Sequence, residues 1–155
     1  MPGTRVILDD LGPLAEDILG SGKALRFRAG GGSMRPLLRN GDVLEVRSVD
    51  PTALKPRQIV LYRQASGRLL AHRIVAVHRR FGQKVFTLQG DAQIVADEWV
   101  EPHQVLGLVS AAWREGRALP LNTLPARIFG WVWTILTPWR GRLINMYRWL
   151  KGDRT

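Results

Sequence analysis

The 155-residue chain has no cysteine, which excludes a disulfide framework, a thiolate-bound metal and thiol redox chemistry. Histidine is scarce as well. The three residues His72, His78 and His103 are scattered and form no metal-ligand set, so neither a metal nor another cofactor is expected. Acidic residues are outnumbered, with 13 Asp+Glu against 23 Lys+Arg for a formal net charge of +10. That balance suits an anionic partner, whether a membrane surface, nucleic acid or an acidic peptide. A long apolar run is also missing. Met1 to Leu8 meets Asp9 and Asp10 without the apolar core of a signal peptide or a spanning anchor. The longest uncharged run of the C-terminal region, Ile128 to Trp139, is interrupted by Gly130 and Pro138 and falls short of the ~20 apolar residues that cross a bilayer.

What is present is an ordinary globular composition, 45% hydrophobic and 23% charged, sufficient for one domain with a real core and some appended structure. Leu11, Leu14, Ile18 and Leu19 fall at helical spacing between Asp9 and the stop Gly20-Ser21-Gly22. A short amphipathic helix over 9–19 is predicted. Beyond it the pattern is that of strands over 24–29, 43–47, 58–63, 69–78, 84–88 and 105–113, separated by Gly, Pro, Asp and Asn. Short strands so evenly spaced predict a mainly β domain built as a barrel or coiled sheet. The expected organisation is a helix and lead-in over 1–22, the β domain over 23–120 and an appendage over 121–155.

The appendage differs sharply in composition. From Leu124 to Thr155 it holds six of the twelve aromatics and six Lys or Arg against the single Asp153. Trp131, Trp133, Trp139 and Trp149 alternate with Arg127, Arg140, Arg142, Arg148 and Lys151. An amphipathic helical segment of this kind lies at a membrane interface, with rings at headgroup depth and cations on anionic lipid. The other reading packs the aromatic face on the β domain or on a partner protein and leaves the arginines solvated.

Three residue types point to acyl transfer. Ser33 follows Gly30-Gly31-Gly32, which removes side-chain bulk so that a substrate backbone can approach the hydroxyl, while Met34 and Pro36 fix the exit. The same tetrad also reads as a connector ending in a helix-capping serine. His72 sits in the apolar run Leu69-Leu70-Ala71-His72-Arg73-Ile74-Val75, and an imidazole there serves either as a general base or as a buried structural group. His78 lies six residues on and in a regular strand shares its face. Asp91, after Gly90, and Asp97 offer the carboxylates that would orient such a base.

In this order the motifs resemble the signal peptidase I family, and within it the Ser-His class of endoplasmic-reticulum, archaeal and spore-forming-bacterial enzymes. The resemblance covers about Gly32 to Gly107. The box Gly32-Ser33-Met34-Arg35-Pro36 matches the family's nucleophile box, and Gly41-Asp42 matches the following strand opening. Ala71-His72-Arg73 carries histidine where the bacterial housekeeping class carries lysine. Gln89-Gly90-Asp91-Ala92-Gln93 leads to Asp97 at the family offset. The resemblance implies a β catalytic domain, Ser33 as nucleophile, His72 as general base, Asp97 as orienting carboxylate with Asp91 second, and Ser33, Gly32, Met34 and Pro36 around the oxyanion and substrate.

Two departures from the family stand out. Ala92-Gln93 replaces an Asn-Asn pair that caps the turn, and Gly31 stands where relatives often place a hydroxyl oxyanion donor, which leaves that task to backbone N–H groups such as that of Ser33. The expected substrate is an extended peptide or preprotein segment with small residues before the scissile bond. The expected location is peripheral, at a prokaryotic inner membrane, with Trp131, Trp133, Trp139, Arg140, Arg142, Arg148 and Trp149 in contact with anionic lipid. No nucleic-acid partner is expected. Two rivals are a dedicated peptidase for the leader of a ribosomally made peptide or one exported client, and a non-catalytic membrane or nucleic-acid adaptor.

Overall fold

The computed structural model describes residues 12–96 and 99–121. Asp97 and the expected lipid-contacting residues Trp131, Trp133, Trp139, Arg140, Arg142, Arg148 and Trp149 therefore lie outside the described residues, as does Leu11. Helix α1 (Gly12–Gly20) is followed by β1 (Leu25–Arg28), β2 (Val43–Arg47), β3 (Ile59–Arg63), β4 (Leu69–Arg80), β5 (Gln83–Gln89), β6 (Trp99–Val100), β7 (Val105–Arg114) and β8 (Arg117–Leu119). The domain is mainly β with a short N-terminal helix, as the spacing predicted. The two shortest strands, β6 and β8, have too few residues to show any alternation and were not expected.

Helix α1 buries Gly12, Ala15 and Leu19, which lie three and four residues apart on one face. Leu14, expected on that face, is 52% exposed, because it stands about 100° around the helix from Ala15. The small residues at 12 and 15 decide the matter. They let the helix approach the sheet closely, and Arg63 fits against Gly12 while pairing with Glu16 at 2.7 Å. The helix stops where Lys23 N–H donates to Ile18 O and Gly22 N–H to Leu19 O, at 3.2 and 3.0 Å, the crossed pair of bonds that closes helix ends.

All eight strands join one sheet in the order β1-β2-β7-β3-β4-β5-β6, every pairing antiparallel, with β8 beside β7. Strand β3 is apolar at almost every position because both its faces are covered. Ile59 and Leu61 join the core of Ala15, Leu19, Met34, Leu38, Leu44 and Val109, whereas Val60 and Tyr62 join that of Ile74, Phe86, Leu88 and Val100. Each such buried side chain stabilises the fold by about 1.5–3 kcal/mol. The two-residue turns Phe81-Gly82 and Glu115-Gly116 have positive φ throughout, 48° and 80°, then 50° and 78°. That geometry matches the twist of the hairpins they close.

Strand β4 carries an irregularity that matters for its histidines. Its pairing with β5 shifts between Ile74 and Ala76, a bulge at Val75 that reverses the alternation of everything after it. Val77, rather than His78, therefore packs on the core that holds Ile74. His78 lies on the face opposite His72, is exposed, hydrogen bonds Thr87 Oγ1 at 3.0 Å and stacks on Trp99. The shared face expected from the even offset is not found.

The segment between β1 and β2 is tied to the sheet by one carboxylate. Asp42 is 2% exposed. Its two oxygens accept from Arg114 Nε and Nη2 at 2.9 and 2.8 Å, and Oδ2 also accepts the Arg39 N–H at 2.7 Å. Arg114 Nη2 donates in addition to Leu37 O. Burial raises the Asp42 carboxyl, but the bonds from Arg114 and Arg39 together outweigh it and hold the group below its ordinary 3.8. Glu45, bonded first to Arg26 and then, against the opposing effect of burial, to Arg47 and Ser110, is lowered from 4.5. Both carboxylates bind protons more weakly folded than unfolded, so their stabilisation is complete above the ordinary values and is lost as pH falls through the lowered ones. The thermal midpoint is expected to drop as pH goes from about 6 to about 3. Asp42→Asn should lower the midpoint at neutral pH and flatten that dependence; an unaltered slope in the variant would assign the acid sensitivity to other groups.

Candidate active site

Ser33 is presented by the loop that links β1 to β2. The neck of this loop is closed by Ala29 N–H to Asp42 O and Gly41 N–H to Ala29 O, at 2.7 and 2.8 Å. Its middle is anchored by Met34 and Leu38, 5% and 3% exposed, both in the first core and joined by a Leu38 N–H to Met34 O bond. Between neck and anchors, Gly30 and Gly31 face open space; a Cβ on either would meet nothing within 4 Å. The serine hydroxyl is thus held by its anchored neighbours and approachable from the glycine side.

His72 reaches the same point from β4. Strand alternation sends it to the face of Val60 and Tyr62, where it is 1% exposed. Its Nε2 lies 3.0 Å from Ser33 Oγ, hydrogen-bond distance for a nucleophile and its base. At the other end of the ring, Tyr62 Oη lies 3.3 Å from Nδ1.

The next residue, Arg73, points away from His72 and makes the site's second connection. Its Nε and Nη2 donate to the two Asp91 oxygens at 2.8 and 2.7 Å, and Nη1 donates to Arg57 O. Both charges are buried, Arg73 to 4% and Asp91 to 4% exposed, and the fork-to-carboxylate geometry satisfies them. Asp91, a candidate for orienting the imidazole, thus pairs with Arg73. The strand places consecutive side chains on opposite faces, so a carboxylate gripped by residue 73 is on the wrong side for residue 72.

What Asp91 positions is the turn over the serine. Ala92 N–H donates to Ser33 O at 2.7 Å. Gly90 lies so close that a Cβ there would stand 2.6 Å from Ser33 O and 3.0 Å from Ser33 Cβ, which no side chain can occupy. The turn expected to lack its caps supplies one itself, since Gln93 Oε1 accepts the Gly90 N–H at 2.9 Å while Gln89 Nε2 donates to Gln93 O. Sequence reading missed Gln93, Arg73 and Tyr62. Each acts through a partner fixed by register or by a turn, and the alternation of β3 was the only signal that Tyr62 faces the second core.

An apolar pocket opens beside Ser33, walled by Phe27, Ala29, Leu44, Leu61, Leu69 and Ala71. Of the residues expected around the substrate, Ser33 and Met34 belong to it, whereas Gly32 and Pro36 do not. Gly32 turns its carbonyl to the Arg35 N–H, and Pro36 is exposed. His103 is exposed next to Glu101, and among the described residues no group of His, Asp and Glu is arranged to hold a metal ion.

Removing one partner of the buried pair strands the other's charge, so Asp91→Ala should cost about 3–5 kcal/mol in chemical denaturation. Asp91→Ala with Arg73→Met should recover part of that loss; a single variant within about 1 kcal/mol of the unaltered protein would show the pair to be dispensable. No protein-family model matches the chain, and no curated protein matches it.

Proposed function

We propose that the protein is a serine endopeptidase of signal peptidase type, in which Ser33 is the nucleophile and His72 the general base. The observation that carries this reading is the 3.0 Å approach of His72 Nε2 to Ser33 Oγ, made by residues 39 apart in the chain, with Ser33 also lining an apolar pocket. A capping serine has no need of that pairing. In the reaction, Ser33 Oγ attacks the peptide carbonyl carbon as its proton passes to Nε2. His72 then gives the proton to the departing amine. Water, deprotonated by the same nitrogen, attacks the acyl ester and releases the acid with Ser33 restored.

The oxyanion is assigned to the Ser33 N–H, which donates to no acceptor among the described residues. One such donor is worth about 3 kcal/mol to the transition state. Asp97 keeps the role of orienting carboxylate in this proposal, by resemblance. The apolar pocket flanked by Gly30 and Gly31 suits a small apolar side chain before the scissile bond, and a substrate laid extended across those glycines meets no obstructing Cβ. Fold support is coarser: a mainly β domain, one antiparallel sheet and a short leading helix accord with a signal-peptidase-like catalytic domain. Peripheral attachment to an anionic prokaryotic inner membrane through the Trp- and Arg-rich segment after residue 121 completes the proposal, consistent with the +10 charge.

Incubation with a peptide library, with and without anionic vesicles, tests it by mass spectrometry of the products. Cleavage after small residues is expected in the unaltered protein, with a fall of at least ~10³-fold in both Ser33→Ala and His72→Ala. Cleavage that persists in Ser33→Ala would count against the assignment; none under any condition would favour a strictly client-specific peptidase or a non-catalytic adaptor.

A further inference from the structure

Tyr62 is 1% exposed and packs among Ile74, Phe86 and Leu88. A phenol buried there is unfavourable unless its hydroxyl is hydrogen-bonded. The register sets Val60 opposite His72 and Tyr62 opposite Leu70, so Tyr62 is the diagonal neighbour of His72 on one face, within reach of a long side chain. The two rings lie 5.8 Å apart at 50°, and Tyr62 Oη lies 3.3 Å from Nδ1.

The other ring nitrogen decides which way this contact runs. Ser33 Oγ, 3.0 Å from Nε2, can give its proton only to a bare Nε2, so the working neutral imidazole carries its proton on Nδ1. With the proton there, Nδ1–H donates and the phenol oxygen accepts. The reverse polarity, with Tyr62 donating to a bare Nδ1, would put the ring proton on Nε2, pointing at the serine and blocking the transfer.

We infer that Tyr62 is a positioning residue for the general base: its oxygen accepts from His72 Nδ1–H alongside the orienting carboxylate and, with it, holds the imidazole in the tautomer and rotation that keep Nε2 bare toward Ser33. The inference rests on the peptidase reading for its purpose. A neutral phenol gives the ring a direction without adding a second buried charge beside any carboxylate that serves it. Packing alone would be met equally well by phenylalanine, which has the same ring and no acceptor.

The test is Tyr62→Phe in the full chain, read in two ways. By NMR of ¹⁵N-labelled protein, the His72 Nδ1–H signal should move upfield and exchange faster with solvent. In peptide cleavage, kcat should fall about tenfold, the loss of one hydrogen bond in the transition state, with KM changed by less than about twofold. An unmoved Nδ1–H signal together with an unchanged kcat would overturn the inference. Should the variant not fold, the unaltered protein answers by a through-space NMR contact between Tyr62 and the His72 Nδ1–H, and a neutral ring protonated on Nε2 overturns the inference. The NMR readings need no substrate, so a protein that cleaves no peptide yet shows the Nδ1–H shift would defeat the peptidase reading and leave the Tyr62 contact standing.

Discussion

The site depends on two neighbouring side chains of one strand that are both buried and both polar. His72 and Arg73 leave β4 on opposite faces, and neither face offers water to a group that needs hydrogen bonds. Arg73 is satisfied by the carboxylate of Asp91 and by Arg57 O, His72 by Ser33 and Tyr62. Through Asp91 the arginine fixes the turn at Gly90, and through the Ala92 N–H that turn fixes the backbone of Ser33. The imidazole and the backbone of Ser33 are therefore referred to the same two residues of one strand. A half-satisfied network here would be worse than an apolar core, because each unpaired group costs its full desolvation.

A second carboxylate does for the loop what Asp91 does for the turn. Asp42 joins the far end of the serine loop to Arg114 near the end of β7, while Met34 and Leu38 fasten its middle in the core. Ahead of these points, before Ser33, the chain is free of side chains at Gly30 and Gly31. Rigidity is thus supplied by ion pair and apolar contact on one side of Ser33, and access by the absence of Cβ atoms on the other. Both properties belong to one segment, and neither requires the other to yield.

Much of this was legible before any coordinates. The six longer strands were readable because alternating or continuous apolar runs bounded by Gly, Pro, Asp and Asn are a strong signal, and the Ser33 and His72 candidates were readable because a hydroxyl among glycines and a lone imidazole in an apolar run are unusual. Arg73 is a different case. In sequence nothing names its partner, and only the turn at Gly90 reveals the carboxylate that lets it be buried. His78 was misplaced because a bulge adds one residue without leaving a mark in composition. Tyr62 was overlooked because its relation to His72 is diagonal across two strands, and a register cannot be counted along a single chain. Leu14 and Ala15 show the same limit on a helix, where close approach by a small residue outweighed the burial of a larger one.

The bulge at Val75 also divides β4 into two working halves. Before it, the strand carries the imidazole and the buried arginine; beyond it, the strand runs out with β5 to the tight Phe81-Gly82 turn, whose Phe81 is 93% exposed. That outer arm returns to Ser33 and His72 along both its strands, at Arg73 on β4 and at the Gly90 turn that follows β5, and the Arg73–Asp91 pair pins these two points to each other. Chain inserted at such an exposed turn extends the arm without passing strain to the site. The hairpin is therefore the place where this architecture can grow, by anything from a few residues to a folded module, while Ser33 and His72 keep their separation.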